Sequence, residues 1–149
     1  MFIVLLAPLT ASLTVSRRNA RESPTWGRFR GGATPRGVLV NLPQHNERFK
    51  GAKAELKRAG VKFDRIDAVD GRLLSAAEWR ANVTLLGRTF LTTGTVGCYL
   101  SHRRCWEECV RRNEVLLIFE DDVLLCDNFS ERLDSALASL PEDWWDAST

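Results

Sequence analysis

The sequence predicts an α/β fold, on three observations. From Gly37 onward, short apolar runs alternate with segments whose apolar residues recur at helical spacing. The run VLLIF at 115–119 has no polar alternation, which is what a strand covered on both faces requires. Three carboxylates, Glu120, Asp121 and Asp122, follow that run directly, at the carboxyl edge where open α/β sheets place their ligands. A length of 149 residues suits one domain, and a composition of 44% apolar and 27% charged residues argues against general disorder.

The first 36 residues stand apart from this pattern. An apolar run at 2–15 gives way to a Gly-, Pro- and Arg-rich stretch holding six Arg against Glu22 alone, a local charge of +5. The net charge of the whole chain is +2, so the remainder carries −3, and a nucleic-acid groove is not indicated. The apolar run falls short of the ~20 residues a spanning helix needs, so no transmembrane helix is predicted. Its length suits the core of a signal peptide over residues 1–16, which would send the chain into the secretory pathway. The Arg-rich sequel also suits an organelle transit peptide, and a plain extension is the third reading. Residues 1–36 are accordingly expected to be a poorly ordered targeting or linker extension, and residues 37–149 the domain.

The domain opens with GVLVNLP, a short strand halted by Pro43. In NERFKGAKAELKRAG, Phe49, Ala52, Leu56 and Ala59 share a helical face, and Gly60 stands where a C-terminal cap belongs. VKFDRIDAVDG reads as a second strand closing at the turn pair Asp70-Gly71. Ser75 and Glu78 have capping-box spacing and announce a short helix, followed by a less regular stretch to Leu91.

TTGTVGCYLSHRRCWEECVRRNEV is the strongest helix in the chain. At 100° per residue, Cys98, Tyr99, His102, Cys105, Trp106, Cys109 and Val110 fall within one face of about 140°, which predicts that this side meets the core. Cys98 to Cys109 spans about 16 Å at ~1.5 Å per residue, so no single ion reaches Cys98, His102, Cys105 and Cys109 together. The four cysteines, with Cys126 the last, are expected to be reduced and buried rather than a disulfide framework. His102 either packs and bonds a backbone group or approaches a ligand near the helix start, where Gly94 and Gly97 leave room.

A buried strand cannot carry Glu120, Asp121 and Asp122 within its length, because each unpaired charge would cost several kcal/mol of desolvation. They belong at its end. The period of two then puts Glu120 and Asp122 on one side, with Asp121 opposite unless the backbone has begun to turn. Two carboxylates facing one point repel unless a cation lies between them, and hard oxygen donors favour Mg²⁺ or Mn²⁺. Further on, NFSERLDSALASLPED supplies a last helix, with Asn128 as cap and Leu133, Ala136, Leu137 and Leu140 as its apolar face. The sequons at Asn82 and Asn128 would matter only in a secretory lumen.

Taken together, these residues resemble glycosyltransferase family 25, which includes bacterial lipooligosaccharide galactosyltransferases and animal procollagen galactosyltransferases. VNLPQHNER resembles the family's opening strand and loop, DAVDG its second block, GTVGCYLSHRRCW its most recognisable segment and LIFEDDVLL its acidic signature. Pro43 departs from the pattern, in which Asp is common. The resemblance implies a GT-A-like nucleotide-diphosphosugar transferase fold, a UDP-sugar donor, most often UDP-galactose, a glycan or protein acceptor, and Mn²⁺ held by the acidic motif. Glu120 and Asp122 are the metal ligands on this reading. Asn41, Arg48, Asp70, Ser101, His102 and Asp121 would border the donor. The plainer alternatives are Asn41 as a turn former, Arg48 as a solvated helix residue and Asp70 as half of a turn. No isolated carboxylate can be assigned as the base that deprotonates the acceptor, so the catalytic residues stay unknown. The chain therefore reads as the amino-terminal half of such a domain, exposing Trp144, Trp145 and a strand edge, with a non-catalytic binding or adhesion relative or an inactive fragment as the alternative.

Overall fold

The computed structural model describes residues 4–6 and 35–139. A four-stranded sheet runs in the order β1-β4-β2-β3, formed by β1 (Val4–Leu6), β2 (Gly37–Asn41), β3 (Phe63–Asp67) and β4 (Leu116–Glu120). β2 pairs in parallel with both β3 and β4, and β1 adds antiparallel on the far side of β4. Helix α1 (Asn46–Arg58) connects β2 to β3. A 3₁₀ turn (Gly71–Leu73), α2 (Ala76–Asn82), α3 (Gly87–Phe90) and α4 (Thr93–Arg112) connect β3 to β4, and α5 (Phe129–Ala138) follows. The predicted α/β order is therefore present, and β2, β3 and β4 run parallel. Most of the expected targeting extension lies outside the described residues, as do Leu140, Trp144 and Trp145.

Alternation along β2 and β4 divides the core in two. Leu39, Leu117 and Phe119 face α1 and α5, where they pack with Ala52, Leu56, Val61 and Phe129. Val38, Val40, Leu116 and Ile118 face the other way and meet Cys105 and Cys109 of α4. Both faces of the central pair are thus covered, and this is why VLLIF carries no polar residue. Each fully buried Leu, Ile or Phe contributes about 1.5–3 kcal/mol relative to leaving it in water.

Local signals set the helix ends. Gly60 takes φ of +70° just past α1, where a side chain would be strained. Ser75 and Glu78 close the capping box of α2 in both directions. Asn128 departs from expectation: it precedes α5 in the left-handed region, φ 57°, and its side chain makes no cap bond.

Helix α4 is turned relative to the predicted face. Its buried residues are Val96, Gly97, Ser101, Cys105 and Cys109, whereas Tyr99, Trp106 and Val110 are exposed, with the Tyr99 and Trp106 rings edge to face at 6.2 Å. Backbone proximity explains the rotation. A Cβ on Gly97 would lie 2.6 Å from the Val69 carbonyl oxygen, and one on Gly71 would lie 1.8 Å from that of Thr93. The start of α4 can press onto the 69–71 loop only along a strip of small residues. Ser101 continues that strip, its Oγ accepting from Val69 N at 2.8 Å and donating to Gly97 O at 2.6 Å. Cys105 and Cys109 are buried but Cys98 and Cys126 are exposed, so the expectation of burial fails for the latter two.

Candidate functional site

The parallel strands β2 and β4 end side by side, so Asn41 and the acidic triplet meet at one edge of the sheet. The alternation that divides the core also divides the charges. Asn41 and Asp121 continue the phase of Leu39 and Phe119 and fall on the α1 side; Glu120 continues the phase of Ile118 and falls on the α4 side.

On the α1 side, Asp121 is held at both oxygens. Asn41 Nδ2 donates to Oδ2 at 2.7 Å, and Arg48 Nη2, from the first turns of α1, stands 2.6 Å from Oδ1. The Asp121 side chain is only 10% exposed, and a carboxylate so enclosed needs that pairing. Asn41 also donates to the carbonyl of His45 at 3.1 Å, while its Oδ1 is a buried acceptor without a partner among the described residues.

On the α4 side, His102 Nε2 lies 2.9 Å from Glu120 Oε1, and Cys98 Sγ lies 4.0 Å from the same oxygen. Cys98 and His102 are four residues apart and share a helix face. Burial, and to a lesser degree the Glu120 charge, push the Cys98 thiol above its ordinary pKa. His102 thus pairs with a carboxylate of the neighbouring strand end rather than with a backbone group.

Both groups open on one cavity of about 450 Å³, lined also by Asp70, Arg72, Thr93 and Gly94. Of the residues singled out in the sequence, Asn41, Arg48, Asp70, Ser101, His102, Glu120 and Asp121 border it. Their roles differ. Ser101 is spent on the loop contact described above. Asp70 caps the 3₁₀ turn by accepting from Arg72 N at 3.0 Å and grips the Arg72 guanidinium at 2.9 and 2.6 Å. That guanidinium holds the Asp70 carboxyl down at about pH 2, so Asp70 works as an orienter of Arg72.

Asp122 does not border the cavity. Val123 N donates to Glu120 O at 3.1 Å, a turn that ends the strand's alternation at Asp121. Asp122 is therefore not carried to the Glu120 side; it is 65% exposed and 3.6 Å from Arg48. Among the described residues, the group of three His, Cys, Asp or Glu donors that converge is Cys98, His102 and Glu120, with all ligand atoms within 4.8 Å of one another. The sequence reading missed Arg72, Thr93 and Cys98 as cavity residues. Arg72 could have been found from its position beside the Asp70-Gly71 turn. Cys98 could not, since its apolar spacing placed it with the core.

The model of the family described as "Glycosyltransferase family 25 (LPS biosynthesis protein)" matches residues 36–145. The chain belongs to glycosyltransferase family 25. Within this family it is 41% identical over 106 residues to human "Inactive glycosyltransferase 25 family member 3", covering 64% of this chain and 17% of that protein. The mouse protein of the same name is 39% identical over 106 residues, with the same coverage. "Procollagen galactosyltransferase 1-B" of Xenopus laevis is 33% identical over 115 residues, or 68% of this chain and 18% of that protein. This family 25 chain thus spans less than a fifth of the length of the curated relatives it matches.

Proposed function

We propose that the cavity is the donor pocket of a metal-dependent glycosyltransferase with a GT-A-like fold, taking a UDP-sugar, with galactose the favoured sugar, for transfer to a glycan or protein hydroxyl. One observation carries this reading: four sequence blocks spread over some eighty residues converge on a single cavity at the carboxyl ends of parallel strands. That is where such sheets bind nucleotides. Arg48 and Arg72 bring two guanidinium groups to the lining, suited to the charge of a diphosphate. Asn41 Oδ1 offers a buried acceptor for a ligand N–H or O–H.

The carboxylates suit a hard cation in chemical type. Asp121 is committed to Asn41 and Arg48, while Glu120 and Asp122 are 45% and 65% exposed at the side chain, Glu120 2.9 Å from His102 and Asp122 3.6 Å from Arg48. Glu120 borders the cavity and would hold Mn²⁺ or Mg²⁺ there, whereas Asp122 lies outside the cavity and would have to swing past the turn at Val123 to join it. Such an ion supplies Lewis-acid neutralisation of charge on a nucleoside diphosphate leaving group. The chain's own part is to place the donor: Arg48 is steered by Asp121, Arg72 is steered by Asp70, and the α4 start closes one wall.

A second reading, of a non-catalytic relative that keeps the pocket, is favoured by the higher identity to the inactive family member than to the procollagen galactosyltransferase. Calorimetric titration of UDP into the chain, with and without Mn²⁺, separates the two. The donor-pocket reading expects binding that requires Mn²⁺ and weakens about tenfold or more in Asp122→Ala. Absence of UDP binding under both conditions would leave the non-catalytic reading in place.

A further inference from the structure

We propose that Cys98, His102 and Glu120 form a zinc site with an open fourth position facing the cavity. This site shares Glu120 with the proposed Mn²⁺ site, takes its other two ligands from α4 and does not depend on UDP-sugar use. Three features of the geometry carry it. Cys98 and His102 stand four residues apart on a 20-residue helix, the spacing by which two helix residues bring ligands to one ion. Glu120 closes the triangle from the end of β4, its Oε1 2.9 Å from His102 Nε2 and 4.0 Å from Cys98 Sγ. Around a tetrahedral zinc, with bonds of about 2.0–2.3 Å, ligand atoms stand roughly 3.3–3.7 Å apart. The observed distances, from 2.9 Å to no more than 4.8 Å, bracket that range.

The donor types then choose the metal. One sulfur, one imidazole nitrogen and one carboxylate oxygen form a mixed, borderline-soft set that suits Zn²⁺ and is poorly matched to Mg²⁺ or Mn²⁺, which prefer all-oxygen surroundings. Coordination replaces the S–H bond of Cys98 with an S–Zn bond and releases the thiol proton to buffer, while His102 binds through the lone pair of Nε2. Three protein ligands leave one position for water or for a donor atom of a cavity ligand. Because Glu120 serves both arrangements, zinc here withdraws it from the oxygen pair. Zn²⁺ should therefore oppose Mn²⁺ rather than replace it.

Cobalt titration of the 149-residue chain under reducing conditions tests the site. Co²⁺ should bind one to one, with a thiolate-to-cobalt charge-transfer band that Zn²⁺ abolishes by displacement. Cys98→Ser should remove the band, Cys126→Ser and Asp122→Ala should keep it, and Glu120→Gln should weaken Co²⁺ binding about tenfold or more. A band that survives in Cys98→Ser overturns the proposal. If a variant does not fold, the wild-type chain still decides: saturating Zn²⁺ should slow alkylation of the exposed Cys98, mapped by mass spectrometry, while leaving exposed Cys126 reactive. Equal Cys98 alkylation with and without Zn²⁺ overturns the site. The two readings fail separately, since absence of Mn²⁺-dependent UDP binding speaks only to the donor pocket and absence of a Cys98-dependent cobalt band only to the zinc site.

Discussion

Asn41 shows how much a single side chain can decide in this molecule. It is 1% exposed, and its amide N–H groups tie the end of β2 both to the start of α1 and to Asp121. Replacing it with Asp keeps the shape but deletes both donors and sets a second carboxylate against Asp121. We expect Asn41→Asp to cost on the order of 2–4 kcal/mol, read as a lowered denaturant midpoint with unchanged slope. A midpoint equal to wild type would mean that Asn41 is not the tie described. At this scale the sequence told the residue types but not their grouping. Pairing Glu120 with Asp122 assumed that strand alternation runs on through the triplet. The turn at Val123 breaks it, and Asp at 121 and 122 suits a strand end and a turn equally well. His102 and Cys98 stayed ambiguous because their partner Glu120 comes from another element, and spacing along one helix carries no information about that.

At the scale of elements, small residues govern the packing of α4. Hydrophobic periodicity weighs Tyr99, Trp106 and Val110 and ignores Gly97 and Ser101, so it pointed the helix the wrong way. What settles the orientation is how closely two backbones can approach, and glycine carries that signal only when its neighbour across space is known. Two substitutions of the same kind should therefore have opposite signs. Gly97→Ala places a methyl 2.6 Å from the Val69 carbonyl oxygen, a fixed backbone atom, and should destabilise by roughly 1–3 kcal/mol. Gly51→Ala, inside α1 with nothing within 4 Å of the new methyl, should stabilise by about 0.5–1 kcal/mol. Thermal or urea melts of the two variants compare them directly, and a neutral Gly97→Ala would refute the close-approach account. Element order, by contrast, was legible over 37–139 except for the 3₁₀ turn and α3, the latter in a stretch read as irregular: VLLIF, the capping box at Ser75 and Gly60 each act through local physics that needs no partner.

For the molecule as a whole, charge networks join what the core does not. Asp64 of β3 bonds Arg36 just ahead of β2 and Arg112 at the end of α4, while Glu108 accepts from Arg111 and Arg112. Arg36 and Arg112 hold the Asp64 carboxyl far below its usual range, Arg111 and Arg112 hold Glu108 at about 2, and Arg72 does the same for Asp70. These folded-state values lie below those of the unfolded chain, so their stabilisation is complete above about pH 4–5 and is lost as pH falls toward 2. The melting temperature should accordingly hold steady from neutral pH down to about 5 and drop between 4 and 2. A melting curve flat to pH 2 would show that solvent screens these pairs into irrelevance. No described helix is long and apolar enough to cross a membrane. The parallel arrangement of β2, β3 and β4 was readable from strand and helix alternation. The antiparallel addition of Val4–Leu6 to β4 was not, since an apolar run at a chain start reads as targeting sequence.

The adjacency of β2 and β4 also has a meaning in time. Asn41 and Asp121 touch although they stand 80 positions apart, so the cavity's floor depends on closing a loop that long, an entropic cost near 4 kcal/mol before any contact repays it. On the ribosome, β2 can pair with β3 early, but the cavity's floor must wait until synthesis has passed the acidic triplet.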